Sequence, residues 1–198
     1  MNAIILAGGK NSRIGTRKAF LEIEGRPIIQ RTIDLLKPRF DRVYLVTNEP
    51  ELYARFGLEM VADEIKEAGP LGGIHAGLGV TGSDYNFVVA CDMPFLSGQL
   101  VDYLKERVEK SEDPVQCVVP RWYKGIEPLH AIYHRSLRPK ISEALAAGER
   151  KMGFLVRNWQ AYFIDLDEWA EANGVQLEKV FSNVNTWAEF EAAKKVSE

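Results

Sequence analysis

The chain has 198 residues, of which 46% are apolar and 27% charged, and its formal net charge is −3. This composition is that of a folded globular protein, and the slight excess of acid gives no electrostatic support for a nucleic-acid partner. The length predicts a single domain. No apolar run approaches the ~20 residues that cross a bilayer, so we expect a cytoplasmic protein with no membrane partner. Two cysteines, Cys91 and Cys117, are too few for a disulfide framework or a zinc site.

The chain begins with a short apolar run that leads into a glycine-rich, basic loop. Residues 4–7 are apolar without alternation, which predicts a strand buried on both faces of a parallel sheet. The glycines of the loop let backbone N–H groups approach a ligand closely. Its cations are Lys10, Arg13, Arg17 and Lys18. Backbone donors and cations together suit a polyphosphate, and the alternative is a surface turn with solvated charges.

Strand and helix signals then alternate along the chain. Helical spacing predicts helices at residues 27–37, 97–109, 136–147 and 151–158, and a capping box at Thr186 opens the last one. Asn48 is a candidate cap for a short helix to residue 56, and a glycine-rich loop at 69–73 leads into a helix at 74–78. Strands are predicted at residues 43–47, 59–62, 85–91, 115–120 and 161–166, and a polar loop at 121–127.

This alternation predicts an α/β fold with a mostly parallel, mixed central sheet and helices on both faces, a Rossmann-like architecture. Ligands of such sheets bind outside the carboxyl ends of the strands. Gly8, Asn48 and Asp92 each follow a different predicted strand, so we expect the three residues at one edge. Asp92 is the candidate metal ligand because magnesium prefers carboxylate oxygens and phosphates. The alternative is a turn aspartate close to Pro94.

The remaining candidates carry less specific signals. Lys18 and Arg13 would act as cations on the phosphates, and Asn48 could be a ligand contact as well as a helix cap. Asp63 could accept hydrogen bonds from a base or ribose, or lie on the surface. His130 and His134 sit in a strand-like pattern without a third zinc ligand. No P-loop, Gly-x-Gly-x-x-Gly or nucleophile motif is found, which leaves metal-assisted phosphoryl chemistry without a covalent intermediate.

Four motifs carry a resemblance to a known family. They are Leu6-Ala7-Gly8-Gly9-x3-Arg13-x-Gly15-x2-Lys18, Gly69-Pro70-Leu71-Gly72-Gly73, Cys91-Asp92-Met93-Pro94 and Asn183-Val184-Asn185-Thr186. The first resembles the signature of nucleotidyltransferases with a glycosyltransferase-A-like fold, and the combination resembles molybdenum cofactor guanylyltransferases. Arg17 and Ile14 depart from the family pattern, which often has an acid and a methionine at these positions.

The resemblance implies an enzyme that transfers GMP from GTP to molybdopterin, with Mg2+ as cofactor and other molybdenum cofactor biosynthesis proteins as partners. It implies a nucleotide-binding half at about 1–95 and an acceptor-binding half at about 96–198. Catalytic roles fall on Arg13, Lys18 and Asp92, and acceptor binding on Asn183 and Asn185, whose alternative is a structural turn. The nucleotide-binding residues would be Leu6, Ala7, Gly8, Gly9, Lys18, Asn48, Asp63, Gly69, Pro70, Leu71 and Asp92.

Two other functions stay open at this point. A cytidylyltransferase acting on molybdopterin or another small phosphorylated acceptor would share the first motif and the metal-binding aspartate. A non-catalytic nucleotide-binding or cofactor-delivery protein could have the same fold, although it would not need Asp92.

Overall fold

A computed structural model describes residues 1–8, 18–111, 114–159 and 161–196. Gly9 and Arg13, together with the other predicted loop cations Lys10 and Arg17, lie outside the described residues. The described strands are β1 (Asn2–Leu6), β2 (Glu22–Ile23), β3 (Arg26–Pro27), β4 (Val43–Val46), β5 (Glu59–Val61), β6 (Tyr85–Ala90), β7 (Cys117–Trp122), β8 (Gly125–Ile126), β9 (His130–His134) and β10 (Ala161–Asp165).

The helices are α1 (Ile28–Leu36), α2 (Pro50–Tyr53), α3 (Gly69–Val80), α4 (Gly98–Glu109), α5 (Leu137–Ala146), α6 (Met152–Asn158), α7 (Asp167–Asn173), α8 (Leu177–Val180) and α9 (Trp187–Val196). Two 3-10 turns, Lys18–Phe20 and Ala54–Phe56, complete the described elements. None of the helices in the described part of the chain is long and apolar enough to cross a membrane.

The central sheet has the strand order β10-β7-β9-β6-β1-β4-β5, with β8 paired to β7. The pairs β1–β4, β1–β6, β4–β5 and β7–β10 are parallel, whereas β9 runs antiparallel to both β6 and β7. β2 and β3 form a small separate hairpin. The predicted mixed, mostly parallel sheet is confirmed.

Both faces of the sheet are buried, which explains why the strand sequences do not alternate. Ile5 of β1 belongs to a core cluster with α1 and α4, and Ile4 belongs to one on the opposite face with α3, α5 and α6. Each of these two side chains is fully buried. The predicted helices on both faces are therefore confirmed, and the whole run of β1 is held rigidly at the centre of the sheet.

The glycine-rich segment at residues 69–73 is helical, so the prediction of a loop there was wrong. It forms the first turns of α3, which lies directly on β1. A Cβ added at Gly77 would lie 2.7 Å from Ile4 Cγ2, and one at Gly73 would lie 3.0 Å from Leu6 Cδ2. The glycines therefore serve close packing of helix on strand, which offsets their low helix propensity.

The predicted polar loop at residues 121–127 is largely a hairpin. β7 continues to Trp122 and pairs with β8, with Arg121 opposite Ile126 and Trp122 opposite Gly125. Trp122 is buried, and its Nε1–H donates to Glu127 Oε1 at 2.8 Å. Burial of the Trp122 indole, rather than the polar composition of residues 121–127, decides the structure of this segment. α7 and α8 were not predicted at all.

Candidate functional site

The carboxyl ends of three central strands meet at one edge of the sheet. β1 pairs with β4 and β6 in parallel, and Leu6 lies opposite both Val46 and Ala90. Hydrogen bonds from Ala7 N to Val46 O (2.9 Å) and from Cys91 N to Leu6 O (3.1 Å) extend this register beyond the strands. Gly8, Asn48 and Asp92 therefore follow at the same edge, as the sequence predicts.

Lys18, Asp92 and Asn185 form a polar cluster at this edge, called the edge cluster below. Lys18 Nζ lies 3.8 Å from Asp92 Oδ2 and donates to Asn185 Oδ1 at 2.5 Å. The side chains of Lys18 and Asp92 are 26% and 23% exposed, so both are partly shielded from water. The cluster thus joins residues that are 167 positions apart along the chain.

The segment that carries Asn185 is tied to the Asp92 loop by its backbone as well. Val184 N donates to Asp92 O at 2.9 Å, and the Val184 side chain is buried. Residues 184 and 185 therefore lie against the loop that follows β6. Asn183 lies elsewhere, in the wall of a cavity of about 570 Å³ that Phe95, Leu177 and Ala193 also line.

Burial raises the pKa of Asp92 above the usual range of an aspartate, and the Lys18 charge only partly opposes this effect. The ionised form of the Asp92 carboxyl is therefore less stable at this edge than in water. A further cation nearby would favour the ionised form. No cluster of three or more His, Cys, Asp or Glu side chains suited to a metal occurs among the described residues. One carboxylate is nevertheless sufficient for magnesium, whose other ligands are commonly phosphates and waters.

Asn48 and Asp63 form a second pair at the same edge. Asn48 Nδ2 donates to Asp63 Oδ2 and Asp63 N donates to Asn48 Oδ1, each at 3.0 Å. Asn48 is therefore not the cap of α2, and that prediction was wrong: the cap position is occupied by Glu49, because Asp63 engages both ends of the Asn48 amide. Asp63 Oδ1 is buried and, among the residues described, has no hydrogen-bond partner.

Several of the predicted nucleotide-binding residues could contact a nucleotide only through their backbone atoms. The side chains of Leu6, Ala7 and Leu71 are buried. Exposed positions at this edge are Gly8, Gly69 and Pro70, of which the two glycines have no side chain. Gly69 begins α3 with a φ of +61°, a conformation that favours glycine. The first backbone N–H groups of α3 have no partner within the helix, as in any helix, and such groups attract phosphate.

Glu189 is a residue of this region to which the sequence assigned no functional role. It lies in the first turn of α9, and its carboxylate accepts hydrogen bonds from Asn185 N and Thr186 N at 2.6 and 2.8 Å. The capping box at Thr186 was the available signal, but its proximity to the edge cluster depends on the tertiary structure.

Cys91, Cys117 and His130 do not form a nucleophilic centre. Burial raises the pKa of the Cys91 and Cys117 thiols to about 12, so neither is a thiolate at neutral pH. His130 is fully buried between the rings of Phe87 and Phe181, and burial lowers its pKa to about 3. The predicted strand around His130 and His134 is confirmed as β9.

The chain is similar to a known protein family. The model of the MobA-like NTP transferase domain matches residues 3–162. The chain belongs to this family. The resemblance inferred from the four motifs is thereby confirmed, and the chain is a nucleotidyltransferase.

Curated relatives of this MobA-like transferase match along nearly its whole length. A molybdenum cofactor guanylyltransferase of Syntrophotalea carbinolica is 34% identical over 96% of this chain and 89% of its own. A probable molybdenum cofactor guanylyltransferase of Pyrococcus horikoshii is 35% identical over 92% of this chain and 93% of its own.

Solved structures share the fold. Molybdopterin-guanine dinucleotide biosynthesis protein A of Archaeoglobus fulgidus superposes with a TM-score of 0.85 at 24% identity, covering 99% of this chain and 98% of that one. The 2-C-methyl-D-erythritol 4-phosphate cytidylyltransferase of Thermus thermophilus gives 0.68 at 14% identity, covering 98% and 97%. These likenesses confirm a single-domain nucleotidyltransferase-like fold.

Proposed function

We propose that this MobA-like transferase moves GMP from GTP to molybdopterin, giving molybdopterin guanine dinucleotide and pyrophosphate. The observation that carries the proposal is the edge cluster, in which a partly shielded lysine and an aspartate lie together where three parallel strands end. The names of the curated relatives support guanylyl transfer in molybdenum cofactor synthesis. A cytoplasmic location stays a prediction.

The nucleotide would bind against the first half of the chain, residues 1–95. The backbone at Gly8 and the first turn of α3 would face the phosphates, because both offer N–H groups at the sheet edge. Lys18 would stabilise the charge that develops on the pyrophosphate, with Arg13 as a second cation by family resemblance. Asp63, held by Asn48 through two hydrogen bonds, would accept from the guanine base or the ribose.

The residue that would hold a divalent metal is Asp92. Its raised pKa fits a carboxylate that gains from a bound metal, and one carboxylate together with phosphates and waters is a usual ligand set for Mg2+. When bound, Mg2+ would supply charge neutralisation on the phosphate oxygens.

The acceptor would bind on the side formed by residues 96–198. The cavity beside Asn183 has about 570 Å³ and an apolar wall that includes Phe95 and Leu177, which suits a flat heterocycle. The terminal phosphate of molybdopterin would then attack the α-phosphorus of GTP in line. The new P–O bond forms as the bond to the β-phosphate oxygen breaks, and pyrophosphate leaves with the electron pair.

The base is tested by measuring pyrophosphate release with molybdopterin and Mg2+, using GTP or CTP at equal concentration. We expect a kcat/KM for GTP at least about tenfold that for CTP, a difference of about 1.4 kcal/mol. Preference for CTP would make the protein a cytidylyltransferase instead. Tight binding of GTP and molybdopterin without turnover would indicate a delivery protein.

A further inference from the structure

The first turn of α9 does more than cap its own helix. Glu189 Oε2 accepts the N–H of Thr186 at 2.8 Å, and Thr186 Oγ1 accepts the N–H of Glu189 at 3.2 Å, which completes a capping box. The same carboxylate oxygen also accepts the N–H of Asn185 at 2.6 Å. A capping box does not need this third hydrogen bond, because Asn185 precedes the cap.

The additional bond fixes the residue that contacts Lys18. Asn185 Oδ1 accepts from Lys18 Nζ at 2.5 Å, and the preceding Val184 N donates to Asp92 O at 2.9 Å. The Asn185 backbone is therefore held between two ties, one to the Asp92 loop and one to Glu189. The hydrogen bond to Glu189 is the shorter of the two, at 2.6 Å against 2.9 Å.

We propose that Glu189 is a positioning residue for nucleotidyl transfer, which acts by holding Asn185 so that the Lys18 ammonium stays beside Asp92. This inference rests on the proposed function. Lys18 has a flexible four-carbon stem, and fixing such a side chain in one position costs rotamer entropy. The Asn185 oxygen, 2.5 Å from Nζ, supplies the fixed acceptor that selects one position of the ammonium. Glu189 in turn keeps that oxygen in place.

The test compares Glu189→Ala with Glu189→Gln and uses Ser97→Ala as a matched control. Gln keeps an oxygen that can accept both N–H groups, whereas Ala keeps none. Ser97 caps α4 by accepting the N–H of Leu100 at 3.2 Å, so its removal takes away a helix cap outside the edge cluster. We expect E189A to lower kcat about 10- to 100-fold with acceptor KM changed less than about threefold. E189Q should retain kcat within about threefold and S97A should leave it unchanged.

Other outcomes would overturn the inference. Equal kcat in E189A and S97A would make Glu189 only a helix cap. A raised acceptor KM at unchanged kcat would make it an acceptor contact, since its side chain also lines the cavity beside Asn183. If E189Q loses as much kcat as E189A, the effect comes from the charge of Glu189 and not from its holding of Asn185.

A second readout separates this inference from the proposed function. If the wild-type protein makes no dinucleotide from GTP and molybdopterin, the proposed function fails. The Asn185 side-chain amide signals in a nitrogen-15 NMR spectrum then test separately whether Glu189 holds Asn185. We expect these signals to shift or broaden in E189A and to stay in place in E189Q and S97A. Unchanged signals in E189A would contradict the positioning role.

Discussion

Two polar clusters of the molecule differ in how fully their charges are paired. In the edge cluster, Asp92 has a raised pKa, and Lys18 is the cation that the described part of the chain places beside it, at 3.8 Å. In the second, between α3 and α5, Arg138 Nη2 donates to both oxygens of Glu64 at 2.8 Å, and His75 Nε2 lies 2.8 Å from Ser142 Oγ. We call the second one the helix clamp. Among the residues described, the charged groups of the helix clamp meet at hydrogen-bond distance, whereas the Lys18 ammonium and the Asp92 carboxylate of the edge cluster lie 3.8 Å apart.

The two clusters differ in the role that we expect of them, ligand binding for the edge cluster and support of the fold for the helix clamp. Arg138 also donates to the backbone oxygen of His75 at 3.3 Å, so the helix clamp ties the two helices together. Burial of His75, with the neighbouring Arg138 charge, lowers the pKa of its imidazole and keeps it neutral near pH 7. Substitutions in the edge cluster should therefore change activity, and substitutions in the helix clamp should change stability.

The largest effect is expected for Asp92→Asn. The amide keeps the size of the side chain but loses the charge that a metal requires, so we expect kcat to fall at least about 10³-fold. GTP binding should persist, and thermal stability should stay the same or rise, because the replaced carboxylate is buried at some cost. Enzyme assays measure kcat, and calorimetry measures GTP binding and thermal stability. Activity close to wild type would remove Asp92 from the metal site.

The next largest effect is expected for Lys18→Ala. Loss of the ammonium should lower kcat about 10²-fold, because one fixed donor to the developing charge is removed. Lys18→Arg should recover only part of this loss, because a planar guanidinium cannot occupy the position of a compact ammonium beside Asn185. Single-turnover rates with Mg2+ report the chemical step directly. An equal rate for K18A and wild type would contradict the role of the edge cluster.

A smaller effect, on stability alone, is expected for Arg138→Ala. Arg138 and Glu64 are 38% and 46% exposed, so solvent screens their pairing and we expect a loss of about 1 kcal/mol. That corresponds to a fall in Tm of about 2–4 °C for a chain of this size. Below the transition, kcat should remain within about twofold of wild type. A fall in kcat beyond about twofold below the transition would mean that the two clusters are coupled.

These contrasts also show what the sequence could and could not establish. Asp92 was predictable because an uninterrupted apolar strand ends one residue before it. The hydrogen bonds between Asn48 and Asp63 were not predictable, because the two residues are 15 positions apart and the local sequence around Asn48 indicated a helix start. The pairing of Lys18 with Asn185 spans 167 residues and depends on how α9 docks. Local propensity also misassigned residues 69–73, where close packing on β1 decides the structure.

The smallest effect concerns the pH dependence of the helix clamp. The pKa of His75 is lowered in the folded state. As the pH falls through about 6.5, the His75 imidazole therefore takes up a proton in the unfolded chain but not in the folded chain. His75 therefore contributes a loss of stability on acidification. We expect the fall in Tm between about pH 7 and about pH 5.5 to be smaller in His75→Gln than in wild type. An equal or larger fall would show that His75 is not held neutral.

We propose that the edge cluster supports attack of a molybdopterin phosphate on the α-phosphorus of GTP. The most direct test incubates the wild-type protein with Mg2+, molybdopterin and GTP labelled at either the α- or the γ-phosphate, and separates the products. We predict that the α label appears in molybdopterin guanine dinucleotide and the γ label in an equimolar amount of pyrophosphate. Release of the γ label as inorganic phosphate, with no dinucleotide formed, would contradict the account.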